Sequence, residues 1–113
     1  MKISILLPYK ENFSPEYAGA VSLFVKDTTL KSKFKKDITV FGHTEYKKKY
    51  IINYVDIPFG KKLLQSGSKS YVNNFLLLEK KNPSDILEIH NRPNYLGHFK
   101  NLVKSKIVLY FHN

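Results

Sequence analysis

The stretch DILEIHNRPNYLGHF, residues 85–99, decides the fold. Its first third is an apolar run of strand length, its middle is a polar turn, and Pro93 opens a pattern that carries Leu96, Phe99 and then Val103 inward at helical spacing. A strand that runs through a polar turn into a helix is the building unit of open α/β sheets, and these bind ligands just beyond the carboxyl ends of their strands. The turn also holds Arg92, the one arginine among 19 Lys and Arg side chains.

The same unit recurs on both sides. Before it, SYVNNFLLLEKKN places Tyr71, Phe75 and Leu78 at i, i+4 and i+7, with Ser68 or Ser70 as a cap and Pro83 as the stop. After it, KIVLYFHN reads as a fifth strand. At the amino end, MKISILLP is a first strand buried on both faces and closed by Pro8. The loop YKENFSPEYAG leads to a helix that begins near Gly19, with Val21, Phe24, Val25 and Thr28 on one face. DITVFGH, bounded by Gly42, is the second strand, and IINYVDIP, stopped by Pro58, is a third near the sheet edge. FGKKLLQSGSK is a Gly/Ser-rich turn.

Five strands alternating with helices across crossovers long enough for parallel pairing predict an α/β fold. It is a doubly wound, Rossmann-like parallel sheet of strand order 3-2-1-4-5, in one domain covering residues 1–113. In that order the ligand crevice lies between strands one and four. Position gathers there Pro8, Tyr9 and Gly19, then His90, Asn91 and Arg92, then His112 and Asn113, with Gly42 and His43 nearby. Glu88 lies two residues from His90 on one strand face, roughly 6.5 Å away, so the two either pair or line a pocket.

The chain has a formal net charge of +10 and no cysteine, which removes disulfides, thiolate metal sites and thiol nucleophiles. Lysine in place of arginine disfavours a dedicated nucleic-acid reader, because bidentate contacts to guanine and phosphate use the arginine fork. No phosphate-binding P-loop, metal-ligand spacing or G-x-S-x-G element occurs, so an NTPase, a metalloenzyme or a hydrolase is disfavoured, and no metal is expected. MKISILLPY is too short and too quickly polar for a signal or a span. The expected location is the cytoplasm, with peripheral contact to the inner membrane face left open.

MKISILLP, the helix-start Gly19, DILEIHNRP and a fifth strand ending in FHN, in this order, resemble the N-terminal, acceptor-side Rossmann domain of glycosyltransferase family 4. Those are retaining enzymes of the two-domain GT-B architecture, and the resemblance spans nearly the whole chain. It implies that Gly19, where the family has a Gly-Gly pair and this chain has Ala18-Gly19, offers backbone amides to the diphosphate of a nucleotide-sugar donor. It implies His112 as the catalytic histidine beside the donor sugar, and His90, Asn91, Arg92 and Asn113 as substrate-binding residues, the Arg92 fork suiting an acceptor phosphate or carboxylate. Relatives often carry His at the position of Glu88.

No cofactor is implied beyond the nucleotide sugar as co-substrate, and the acceptor would be a saccharide or a lipid. The family's second domain, with its pair of glutamates on a glycine-rich segment, is not in these 113 residues. The expectation is therefore a truncated domain, a fragment of a hexosyltransferase-type enzyme that is inactive alone and self-associates through its apolar fifth strand. Two other readings stand beside it. One is a stand-alone basic α/β module that binds anionic ligands or nucleic acid through KSKFKKD, residues 31–37, and EYKKKY, residues 45–50; the other is a partner-dependent subunit.

Overall fold

A computed structural model describes residues 1–58, 67–99 and 103–112. Its centre is β1 (Ile3–Leu6), four residues buried on both faces. Successive side chains of a strand point to opposite sides. Ile3, Ile5 and Leu7 accordingly join one core with Val21, Val25, Ile38 and Val40. Leu6 joins a second core with Phe41, Tyr71, Phe75, Leu87 and Ile89. Those two cores are the two layers between which the sheet is sandwiched.

Pairing follows from β1 outward. β1 runs parallel to β4 (Ile38–Gly42), with Ile5 opposite Val40, and to β6 (Ile86–His90), with Ile5 opposite Glu88. β5 (Tyr54–Asp56) pairs with β4, and β7 (Lys106–Tyr110) pairs with β6, again parallel. The five-stranded order β5-β4-β1-β6-β7 is the expected order 3-2-1-4-5. The third strand is shorter than IINYVDIP suggested: the Asn53 carbonyl accepts the Val40 N–H at 2.8 Å, but residues 51–52 form a bend outside the ladder.

β2 (Phe13–Ser14) and β3 (Tyr17–Ala18) form a small antiparallel hairpin within the loop after β1, outside the main sheet. α1 (Ala20–Lys31) buries Val21, Ser22, Val25 and Thr29, not the expected Val21, Phe24, Val25 and Thr28. The helix is rolled by about one position, and the cause is polar. The Ser22 hydroxyl shares its one proton between two acceptors, Glu11 Oε2 at 2.8 Å and the Asn12 carbonyl, anchoring that side of α1 to the loop. Phe24 is left 39% exposed.

α2 (Gly67–Lys81) buries Tyr71 and Phe75 as expected, together with Ser70, Val72, Leu76 and Glu79. Leu78 packs half-buried against the same core. Ser68 and Ser70 lie inside the helix, so neither caps it. Glu79 is buried because its carboxylate is filled with donors: the Ser84 N–H at 2.7 Å, the Ser84 hydroxyl at 2.8 Å and the Ser105 hydroxyl at 2.6 Å. The Ser4 and Ser84 hydroxyls meet at 2.5 Å, which ties β1 to the same knot.

Pro93 sets a 3₁₀ turn over Pro93–Tyr95 that passes into α3 (Leu96–Phe99). Tyr95 and Phe99 are the buried side chains there, while Leu96 is half-buried. The third helix is expected over PNYLGHFKNLVKS, residues 93–105; residues 100–102 of it lie outside the described set, and residues 103–105 are not helical. Among the described residues, no helix is long and apolar enough to cross a membrane.

Candidate functional site

In an open parallel sheet the crevice forms where the strand order reverses, here between the carboxyl ends of β1 and β6. Among the described residues the two non-glycine residues with positive φ are Lys10 at 69° and Asn91 at 53°, one in the loop after each of those strands. Left-handed backbone away from glycine is held only where the surroundings fix it, and such residues gather at functional sites. Asn tolerates the conformation better than most, because its short amide bonds locally.

Asn91 is the residue that assembles the site. Its N–H donates to the Tyr110 carbonyl at 2.9 Å, and its Oδ1 accepts the His112 N–H at 2.7 Å. This clamp between the ends of β6 and β7 sets His112 on His90, with Nε2 and Nδ1 2.8 Å apart. The His90 ring is 1% exposed, stacked on Tyr110 with centroids 4.8 Å apart and planes 5° from parallel. Its Nε2 faces Glu88 Oε2 at 3.4 Å, so of the two readings left open for Glu88 and His90, pairing is observed. Glu88 also borders a hollow with Phe24 and Tyr110. Phe24 closes the group by presenting its edge relationship to His112, with centroids 4.8 Å apart.

A hydrogen bond between two ring nitrogens holds one proton, which constrains both imidazoles. With Glu88 ionised, His90 donates Nε2–H to it and accepts the His112 Nε2–H at Nδ1. His112 then presents its own Nδ1 as an acceptor. Burial first, then His90, lower the His112 pKa below the usual histidine value, against an upward pull from Glu11. At neutral pH His112 is therefore a neutral hydrogen-bonding ring.

Arg92 follows directly, its guanidinium donating one bond to the Asn91 carbonyl at 2.8 Å. Gly19 is the residue before α1, in extended conformation. Its lack of a side chain has a local reason, since a Cβ there would collide with the Glu11 carboxylate. Glu11 Oε2 accepts the Ser22 N–H at 3.2 Å, so the start of α1 is already capped by an anion of the same chain. Asn113 lies outside the described residues.

The crevice has a second part, of which the sequence reading places Tyr9 and His43 but not Lys10, Asn12 or Glu45. A depression of about 460 Å³ over the ends of β1 and β4 is lined by Tyr9, Lys10, Asn12, His43 and Glu45. Asn12 Oδ1 accepts the Thr44 hydroxyl and the Glu45 N–H, each at 3.1 Å. Asp56 accepts the Thr44 N–H at 3.2 Å and meets His43 Nδ1 at 3.2 Å. Burial first, and Asp56 second, push the Tyr54 hydroxyl far above the usual tyrosine range. In the sequence Asp56 reads only as part of the alternating strand IINYVDIP, and Lys10 and Asn12 only as part of the long loop YKENFSPEYAG.

Among the described residues no group of three His, Cys, Asp or Glu could hold a metal ion. Compared with family models, with curated proteins and with solved structures, the chain matches none.

Proposed function

We propose that this chain is the acceptor-side half of a nucleotide-sugar-dependent, retaining glycosyltransferase built from two Rossmann-like domains. The observation that carries the reading is the clamp of Asn91 on His112. It gathers a neutral histidine, a paired histidine and a fork-bearing arginine at the carboxyl ends of two adjacent strands, beside the strand-order reversal. Neutral rings and amides suit sugar hydroxyls, which both donate and accept, and the Arg92 fork suits an anionic group on the acceptor.

In this reading His112 faces the donor sugar and Arg92 the acceptor. Gly19 contributes to the diphosphate once Glu11 has withdrawn from the start of α1, one anion replacing another. A reducing compartment such as the cytoplasm fits a chain with no cysteine.

The test is an NMR titration of this chain with a nucleotide sugar, a phosphorylated disaccharide and the same disaccharide without phosphate. The expected result is saturable shifts at Asn91, Arg92 and His112, with Arg92→Lys weakening the phosphorylated ligand by about tenfold and the neutral one little. Absence of any shift at these residues with all three ligands overturns the proposal.

A further inference from the structure

At the opposite, amino-terminal end of the sheet, the 3₁₀ turn before β4 and the approach to β5 enclose a depression of about 350 Å³. That volume is at the lower end of small-molecule pockets, which run from about 300 to 1,000 Å³. Its lining brings together residues of two basic segments that take no part in the site at the carboxyl ends: Lys35 and Lys36 from residues 31–37, and Tyr50 from residues 45–50. Among the described residues no carboxylate lines it. Beside the lysines stand Leu30 and Ile51, and Ile51 is 97% exposed.

A second observation is independent of the charge. Thr29 borders the depression, is 2% exposed, and its hydroxyl is the buried side-chain polar atom without a hydrogen-bond partner among the described residues. Its neighbour Thr28 behaves as helical threonines do, returning its hydroxyl to the Phe24 carbonyl at 2.9 Å. Thr29 does not. An orphaned buried hydroxyl is a cost that native proteins rarely leave uncompensated. Thr29 also borders a smaller hollow of about 130 Å³, but Glu88 lines that one and disfavours an anion there.

We propose that the depression formed by Thr29, Leu30, Lys35, Lys36, Tyr50 and Ile51 is a binding site for an amphiphilic anion, a phosphate carrying an apolar tail. The two ammonium groups take the phosphate, Leu30 and Ile51 cover the tail, and a turn of the Thr29 side chain brings its buried hydroxyl to the phosphate as a donor. The same chemistry exists in a free alkyl phosphate and in an anionic lipid headgroup. The site lies at the opposite end of the sheet from His90 and His112, so its success or failure is independent of the glycosyltransferase reading.

The experiment titrates the chain with hexyl phosphate below its micelle concentration, with inorganic phosphate and with hexanol. In parallel it measures binding to vesicles of phosphatidylglycerol and of phosphatidylcholine. Hexyl phosphate is expected to bind about tenfold or more tightly than either half-ligand, shifting the amides of Thr29, Lys35, Lys36 and Tyr50 but not those of His90 or His112. Thr29→Val is expected to leave the thermal midpoint of the free protein unchanged or raised, and to weaken hexyl phosphate by about tenfold. Lys35→Glu with Lys36→Glu is expected to abolish binding. Binding of hexyl phosphate alone identifies a free ligand, and binding of phosphatidylglycerol vesicles with the same lysine dependence identifies a lipid headgroup. The proposal is overturned if neither binds, if inorganic phosphate binds as tightly as hexyl phosphate, or if Thr29→Val lowers the midpoint and leaves binding intact.

Discussion

The single proton between His90 Nδ1 and His112 Nε2, 2.8 Å apart, makes acid the natural probe of the site. His112 has its pKa lowered on folding, chiefly by burial. Above the ordinary value of 6.5 both folded and unfolded chains hold it neutral. As the pH falls below that value the unfolded chain takes up a proton before the folded one does, so stability is lost in that direction. The urea midpoint is expected to fall between pH 7 and pH 5, and to fall less in His112→Asn; equal slopes in both proteins would remove His112 from the account. Glu11 makes a second prediction at this scale. Glu11→Gln weakens the cap on α1 and should cost about 0.5–2 kcal/mol by urea denaturation. Asn91 could be foreseen as a turn residue after an apolar run. The role of Glu11 could not, because it meets Ser22 only after an intervening hairpin has turned the chain back.

Strands were easier to read than helix faces, and the reason is visible in particular elements. ISIL and ILEIH are short apolar runs punctuated by Pro8 and Pro93, and the structure makes them β1 and β6. In α1, by contrast, apolar residues point all round, with Leu23, Phe24 and Leu30 exposed, so periodicity could not choose the buried side against the pull on Ser22. The two-residue strands β2 and β3 are too short to show a period. α2 hides another element-scale device in Glu79, a charged residue that sequence would place in solvent. Glu79→Ala leaves the buried Ser84 N–H without its acceptor, while the Ser84 and Ser105 hydroxyls keep Ser4 and the Ser84 carbonyl as partners, and should cost about 1–3 kcal/mol. The midpoint of chemical denaturation is the measurement, and a loss below about 1 kcal/mol would mean that the knot is replaceable.

For the molecule as a whole, the strand order was legible because parallel pairing and right-handed crossovers leave few alternatives. The ligand was not, since a fold does not carry a function and the residues at the strand ends do. β7 forms one edge of the sheet, and around it Phe24, Tyr110 and Phe111 are exposed, Phe111 by 70%. A chain of net charge +10 repels its own copies, and salt screens that repulsion. Self-association through this edge is therefore expected to strengthen as ionic strength rises, and Phe111→Lys should reduce it. Light scattering across a salt series checks both, and a monomer at all salt concentrations would contradict them.

The connection from β4 to β5 contains no helix, and it is held by aromatic contacts, Tyr46 on Tyr17 and Tyr50 on Phe13. Cut there, the chain becomes two pieces that neither half can complete alone. β5 and β6 of the second piece lie on opposite flanks of β4 and β1 of the first. The second piece grips the first like a clasp, with one ladder on each side. Residues 1–48 and 49–113, produced as separate polypeptides, should thus reconstitute the fold when mixed, making this sheet a ready-made split reporter.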